Sequence, residues 1–327
     1  MCADVCLESS RTRIKGVGAE IMRSESKGMW LGLLGVTGFG FTLPVTRLVI
    51  PELDPVFIGS GRAVVAAGLA GLVLLAKRSR LPTVSQWRQL LVVAAGVVVG
   101  FPMLSAWAMQ TVPASHGGVV LGVLPLATAV VGAFIMGERP SMGFWLVSLA
   151  GSATVVGYAL WTGAGTLQIG DLALLGAVVS AAIGYAVGGK LTKELGGGPV
   201  ICWALVISLP LIVFPAWLTA PESFAAVSGD AWLGFLYLAL VSQLFGFFLW
   251  NAGLALGGIA RVSQTQLLQP FVTIAASAVL LSEAIETSTV VLALIVISLV
   301  AIGRTMPVAS APRAPVTGPV CCQSRGG

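Results

Sequence analysis

The side chains most suited to binding a small solute lie in an apolar stretch of the C-terminal half. Gln266, Gln269 and Thr273 follow one another at spacings of three and four, so on a helix they share one face. Amide and hydroxyl groups can both donate and accept hydrogen bonds. This face favours contact with a small, neutral or zwitterionic, amphipathic solute. Hydrogen bonding between helices is the alternative that the sequence leaves open.

Other polar and aromatic side chains in apolar stretches extend this set. Tryptophan offers a flat apolar face and one donor, although anchoring at a membrane interface is the alternative for each Trp. Arg62 is expected to be buried and charged, binding either helix-end carbonyls or a substrate carboxylate, because an unpaired arginine in lipid costs about 2.5 kcal/mol or more. The candidate substrate-binding residues are Gln266, Gln269, Thr273, Trp107, Trp250, Asn251, Gln243, Tyr185 and Arg62.

One segment occurs twice, 145 residues apart. The stretches PLATAVVGAFIMGE and PFVTIAASAVLLSE each begin with proline and end with glutamate. Gating or structural roles are expected for Pro125, Pro270, Glu138 and Glu283, with salt bridging or solvation at helix ends as the alternative for the glutamates. Proline lacks an N–H and clashes with the carbonyl four residues earlier. A kink with a freed carbonyl at residue 266 is therefore predicted.

Composition places the chain in a membrane. Of 327 residues, 57% are hydrophobic and 9% are charged, whereas soluble domains carry about 25% charged residues. Long uncharged runs exceed the ~20 residues of helix that span a bilayer. The fold class is therefore an all-α polytopic membrane protein with ten transmembrane helices. Their predicted bounds are 29–49, 54–76, 89–110, 114–136, 142–161, 170–190, 200–219, 231–252, 262–282 and 287–304.

The distribution of basic residues predicts the orientation. With the N-terminus inside, all but two of the 18 Lys and Arg residues fall in inner segments, and the two exceptions, Arg47 and Arg62, lie in or at the edge of spans. Because basic residues concentrate on the cytoplasmic side, both termini are predicted to be cytoplasmic, in a multi-pass inner-membrane protein.

Five predicted helices end before Asp171 and the other five begin at or after residue 170, so the second half enters the membrane from the opposite side. The two copies then form an inverted repeat, an arrangement that recurs in secondary transporters. The predicted organisation is a cytoplasmic disordered tail (1–27), two five-helix repeats (28–165 and 166–305) and a second cytoplasmic disordered tail (306–327).

Two longer segments carry a family resemblance. ASHGGVVLGVLPLATAVVGAFIMGERP and GGIARVSQTQLLQPFVTIAASAVLLSEAI resemble the two halves of the EamA-type drug/metabolite transporters, as do FIGSGRAVV around Arg62 and the GD that opens GDLALLGAVV. The resemblance covers roughly 29–305. It implies a ten-helix inner-membrane carrier that often exports amino acids or other small metabolites. Arg62 departs from the repeat, since the equivalent region of the second half, PVICWALVI, contains no basic residue.

Other functions find little support in the sequence. A single histidine and the absence of mid-span acids leave no catalytic constellation and no histidine-based metal site. GYAVGGKL lacks the Ser or Thr of a phosphate-binding loop, so no cofactor is expected. Nucleic acid is not an expected partner, because the basic residues are scattered over short loops. A small solute and the lipid bilayer are the expected partners, and the sequence leaves monomer or homodimer open. An intramembrane enzyme and a structural or signalling membrane protein remain as alternatives.

Overall fold

The computed structural model describes residues 22–136, 139–161 and 169–282, with scattered residues between 287 and 309. This part of the chain contains nine helices. Eight of them are long and apolar enough to cross a membrane. The nine are α1 (Met22–Val49), α2 (Pro55–Ala76), α3 (Val84–Ala108), α4 (Ala114–Ile135), α5 (Met142–Trp161), α6 (Ile169–Leu195), α7 (Gly197–Leu218), α8 (Gly229–Gly257) and, after a short turn at Ile259–Val262, α9 (Ser263–Leu281).

The described part of the first helix already includes Met22, whereas the sequence placed the start of this helix at 29. Residues 22–27 of the predicted tail are therefore helical. These residues extend the apolar helix with polar side chains. The extension is stabilised by an ion pair between Glu25 and Arg261, which lies beyond the end of α8. Hydropathy detects only the apolar part of such a helix.

Contacts between helix ends show that α5 spans the bundle as well. Gln86, in the first turn of α3, donates from Nε2 to Glu194 Oε2 at the end of α6, at 2.9 Å. Only an even number of passes returns a chain to the same face of a bundle. The long helices α3, α4 and α6 account for three passes between these residues, so α5 supplies the fourth. Its 20 residues extend for about 30 Å.

At the opposite ends of the helices, two further contacts link connecting segments. Arg47 near the end of α1 donates to the carbonyls of Met109 and Val112, at 3.1 and 2.7 Å. Glu52, between α1 and α2, accepts from the backbone N–H and the hydroxyl of Ser228, at 2.6 and 2.7 Å. These bonds lower the pKa of the Glu52 carboxyl from its usual value. Both contacts join segments that the sequence assigned to one side of the membrane.

The tenth predicted helix, 287–304, falls largely on residues that the structure does not describe, so it stays a prediction. One contact supports it. Arg139 and Pro140 pair as a short antiparallel strand with Ala309 and Val308. Residue 309 thus lies at the face where α5 begins, and one more pass after α9 would bring the chain there.

The repeat reappears as matched interruptions of helical geometry. A 3-10 segment, Leu121–Val123, precedes the 13-residue α-helix Leu124–Met136 in α4. In α9 a 3-10 segment, Ser263–Leu268, precedes the 13-residue α-helix Gln269–Leu281. Both α-helical parts begin one residue before the repeated proline. Each half therefore places its proline directly after a tighter turn of helix.

The expected free carbonyl at residue 266 is a wrong prediction. In the 3-10 segment the Gln269 N–H donates to the Gln266 carbonyl, as the Leu124 N–H does to Leu121 in the other copy. A 3-10 helix bonds residues three apart and not four. The clash that proline would cause in continuous α-helix is thus relieved by a change of helix type, and the carbonyl keeps a partner.

The third helix of each half also matches its counterpart. A wider π-helical segment interrupts α3 at Ala94–Gly100 and α8 at Tyr237–Phe245. Such segments are rare and occur frequently at functional sites. The two segments contact each other through Gln243, whose Nε2 donates to the Val97 carbonyl at 3.3 Å.

Small residues let helices of opposite halves approach closely. A Cβ added to Gly28 of α1 would lie 2.5 Å from the backbone nitrogen of Gly257 in α8, and one on Gly96 of α3 would lie 2.6 Å from the Ser180 carbonyl of α6. Helix packing in membranes depends on such small residues. The first helix of each half thus packs against the third helix of the other half.

Candidate functional site

Four aromatic rings meet where α1, α6 and α8 pack together. Tyr185 and Trp250 have ring centroids 5.3 Å apart, and Phe39 and Phe247 are 4.9 Å apart. Phe39 also lies 6.2 Å from Tyr185, with nearly parallel rings. All four side chains are buried. These residues form the ring cluster of the protein, which joins both halves at the interior of the bundle.

Arg62 of α2 lies beside this ring cluster. Its side chain is 2% exposed and lies within electrostatic range of Tyr185. Arg62 lies seven residues after Pro55, the first residue of α2, which puts it about 10 Å into the helix. Within the described part of the chain its Nε has no hydrogen-bond partner. A buried guanidinium with an unused donor is suited to binding an anionic group.

Arg47 shows what a satisfied arginine looks like in this protein. Its Nη1 binds two carbonyls, at Met109 and Val112, just past the end of α3. A positive charge at the carbonyl end of a helix is favourable. The sequence allowed Arg62 to bind either helix-end carbonyls or a substrate carboxylate. In the structure it is Arg47 that occupies a helix end.

Two more donors beside the ring cluster lack partners. Trp250 Nε1 and Asn251 Nδ2 are buried, and neither has a hydrogen-bond acceptor within the described residues. Asn251 packs on α6 at Gly188, where an added Cβ would lie 3.2 Å from Asn251 Oδ1. Buried donors without partners cost about 1–3 kcal/mol each. Unpaired donors of this kind fit a site at which a bound ligand supplies the missing acceptors.

The amide face of α9 meets α4 at the centre of the repeat. Thr128 Oγ1 donates to Gln266 Oε1 at 3.4 Å, which leaves Gln266 Nε2 without a partner. Gln269 is buried, and its Oε1 also has none. The two glutamines therefore present a free donor and a free acceptor, as a polar solute requires.

Thr273 ties this face to the ring cluster. The helix of α1 is interrupted at Phe41, and Thr273 Oγ1 donates to the Gly40 carbonyl just before the break, at 2.8 Å. Tyr237 and Ser242 of α8 bind the same stretch, through Gly38 O and Thr42 Oγ1. Phe39 lies inside this stretch, so its position depends on both α8 and α9.

Gln264 lies apart from the amide face, as its position on the helix predicted. Its Nε2 donates to Ser148 Oγ of α5. Gln264 thus bonds α9 to α5, whereas Gln266 bonds it to α4, and each amide keeps one atom without a partner among the described residues, Oε1 of Gln264 and Nε2 of Gln266. The difference provides a matched pair of buried glutamines for comparison.

Several predicted site residues are not brought to the ring cluster. Gln243 bonds to α3 as described above, and Trp107 is 46% exposed, which fits the interface-anchor alternative. Their roles in binding stay predictions. Pro125 and Pro270 are buried at matching positions. Glu138 and Glu283 belong to the residues that the structure leaves undescribed.

Sequence reasoning missed Phe39, Phe247 and Arg47. The one available signal was GFGF at 38–41, where glycines flank phenylalanine and weaken the helix. Phe247 lies in an uninterrupted apolar run and carries no such mark. Among the described residues no three His, Cys, Asp or Glu side chains are placed to hold a metal ion.

Aromatic side chains close the end of the bundle that carries residues 50–54 and 219–228, on the side of Arg62. Phe57 of α2 stacks on Phe235 of α8, with centroids 5.3 Å apart. Trp232 lies 5.6 Å from Phe235 and 5.7 Å from Phe224. The bond between Glu52 and Ser228 joins the two loops over these rings. The site is thus covered from this side by contacts between the two halves.

Comparison with known proteins places the chain among transporters. It is 44% identical to the "Uncharacterized transporter YdeK" of Bacillus subtilis (strain 168), over 86% of this chain and 99% of that protein. It is 25% identical to a "Probable amino-acid metabolite efflux pump" of Salmonella typhimurium, over 79% of this chain and 88% of that protein. It is 23% identical to a "Probable terminal-alkyne amino-acid exporter" of Streptantibioticus cattleyicolor, over 79% and 86%.

A crystal structure with 17% sequence identity has the same fold. It superimposes with a TM-score of 0.69 over 85% of this chain and 96% of its own. The model of the EamA-like transporter family matches twice, at residues 26–160 and 168–303. The chain belongs to the EamA-like transporter family.

Proposed function

We propose that the protein is a secondary transporter that exports small metabolites such as amino acids across the inner membrane by alternating access. The observation that carries this proposal is a buried site with unpaired polar groups, at the meeting point of two halves whose helices are interrupted at equivalent places. A buried binding site between inverted repeats is the arrangement that alternating access uses.

The mechanism follows from the two matched halves. Each proline follows a 3-10 turn, and each third helix contains a π-helical segment. A 3-10 stretch inside a helix often marks a hinge, and π-helical segments occur frequently at functional sites. If the halves exchange conformations, the site opens to one side as the other closes. Contacts such as Glu52 with Ser228 on one face, and Glu25 with Arg261 on the other, would break in turn.

The solute is held by groups at three positions in this proposal. Arg62 binds a carboxylate, the ring cluster receives an apolar side chain, and Gln266 and Gln269 bind remaining polar atoms. The printed names of two relatives, which concern amino-acid metabolites, support this class of solute. An enzyme would need a catalytic constellation, and the described interior offers Arg62 as its one buried charged side chain.

A growth screen tests the proposed function. Overexpression should protect cells against at least one toxic amino-acid analogue and lower its internal concentration. The control is an empty vector in the same strain, with the protein quantified in the membrane fraction. Unchanged internal concentrations for every analogue and antiseptic tested, at high protein levels, would contradict export.

The proposed topology is checked with reporter fusions. Ten crossings with cytoplasmic termini predict that a fusion after residue 165 reports the periplasm and a fusion at residue 327 reports the cytoplasm. The two reporters should be alkaline phosphatase and a fluorescent protein, which are active on opposite sides. If both fusion sites report the same side, the arrangement of five plus five helices is wrong.

A further inference from the structure

The buried charge of the site is positive, with no buried negative charge among the described residues. Arg62 is the one arginine, lysine, aspartate or glutamate that is buried in the described part of the chain. A positive charge inside a membrane protein is costly without a counter-charge. A ligand with one negative charge neutralises it, whereas a zwitterion leaves a net positive charge in the site and a cation adds a second one.

The unused hydrogen-bonding groups next to the rings are donors, whereas the amide face of α9 offers one free acceptor, Gln269 Oε1. Arg62 Nε and Trp250 Nε1 lack partners, and neither group can act as an acceptor. Asn251 adds a third free donor, Nδ2. A carboxylate is a pure acceptor with two oxygens, so it satisfies several donors at once. An ammonium satisfies none of them.

The rings themselves offer a weaker alternative. An ammonium group can bind to aromatic faces, and the ring cluster contains four buried rings. However, Arg62 lies within electrostatic range of Tyr185 in the ring cluster, so a second cation at these rings would be repelled by the guanidinium. An apolar or aromatic group suits the rings without this conflict.

We propose that the site binds organic monocarboxylates with an apolar or aromatic tail, and that it prefers net anions to zwitterions and zwitterions to cations. The carboxylate binds Arg62, Trp250 Nε1 and Asn251, and the tail packs among Phe39, Tyr185 and Phe247. This inference rests on the transport function proposed above. It replaces the neutral or zwitterionic solutes expected from the sequence with anions.

Three ligands with one phenylethyl frame test the preference. 3-Phenylpropanoate is phenylalanine without the ammonium group, and 2-phenylethylamine is phenylalanine without the carboxylate. Their affinities are measured by isothermal titration calorimetry at pH 7 with the full-length protein in nanodiscs. We expect 3-phenylpropanoate to bind more tightly than phenylalanine and about tenfold or more tightly than the amine.

Two outcomes with the wild-type protein would overturn the inference. One is an amine that binds as tightly as the carboxylate. The other is that none of the three ligands binds, because the proposed site should bind the anion.

Arginine variants locate the origin of the preference. In Arg62→Gln the three affinities should converge to within about threefold, whereas Arg62→Lys, which keeps the charge, should retain the order. Arg47→Gln is the matched control, because Arg47 binds helix-end carbonyls away from the rings, and it should retain the order. An unchanged order in Arg62→Gln would overturn the assignment.

Binding at equilibrium separates this inference from the proposed function. A protein that prefers the anion but moves no solute in flux assays contradicts export alone. A protein that exports solutes but binds the amine and the carboxylate equally contradicts the anion preference alone.

Discussion

Replacing Arg62 with glutamine is expected to reduce transport by about thirtyfold or more, while the thermal stability of the empty protein is preserved or raised. Loss of one partner from a buried, hydrogen-bonded charge pair costs about 2–5 kcal/mol of binding, which corresponds to this range. In the empty protein the same arginine is a buried charge with an unpaired Nε. Removing it therefore relieves a cost. Export rate and melting temperature, measured in the same preparations, check both parts.

The combination of lost transport and retained stability distinguishes binding from packing. Arg47→Gln serves as the control with the opposite pattern, since it removes two hydrogen bonds to Met109 and Val112 and should lower the melting temperature. Normal transport by Arg62→Gln for every solute tested would rule out a role in substrate binding. A large loss of stability in that variant would assign Arg62 to the fold.

Replacing Gln269 with leucine is expected to weaken solute affinity about ten- to a hundredfold. Leucine occupies the equivalent position in the first repeat, Leu124, where the helix begins in the same way. The fold should therefore tolerate the change. The loss arises because Gln269 Oε1, which has no partner among the described residues, is available to a solute, and a lost buried hydrogen bond costs about 1–3 kcal/mol. Apparent affinity at wild-type expression level is the measurement.

Gln264→Leu is the matched control for this change. Gln264 is equally buried on the same helix, but its Nε2 bonds to Ser148 of α5; its Oε1, like that of Gln269, has no partner among the described residues. It should lower stability and leave the affinity of the folded protein unchanged. If Gln269→Leu binds solute normally, or if both variants weaken affinity alike, the amide face belongs to helix packing.

The sequence predicted the repeat and the place of its interruptions, but not their geometry. Pro125 and Pro270 marked the two sites because proline cannot continue an α-helix unchanged. Whether the helix kinks or tightens depends on its contacts with neighbouring helices, and those contacts cannot be read from one sequence. The 3-10 turns before both prolines, and hence the paired carbonyl of Gln266, could be found only in the structure.

The candidate site was predictable in part, for a related reason. Arg62 and Gln269 stand out because polar side chains are rare in apolar runs. Phe39 and Phe247 do not stand out, since a phenylalanine facing lipid and one facing a binding site look the same in an apolar sequence. The two arginines also look alike in the sequence, whereas in the structure Arg47 binds helix-end carbonyls and Arg62 Nε has no partner among the described residues.

Counterflow in proteoliposomes tests the central claim most directly. Vesicles containing the purified protein are loaded with unlabelled 3-phenylpropanoate or phenylalanine and diluted into a trace of the labelled compound, with protein-free vesicles as the control. A carrier that alternates between two openings around the Arg62 site predicts transient accumulation of label above the control, and loss of that accumulation in Arg62→Gln. Label that equilibrates identically with and without protein, for a compound that the protein binds, would contradict transport.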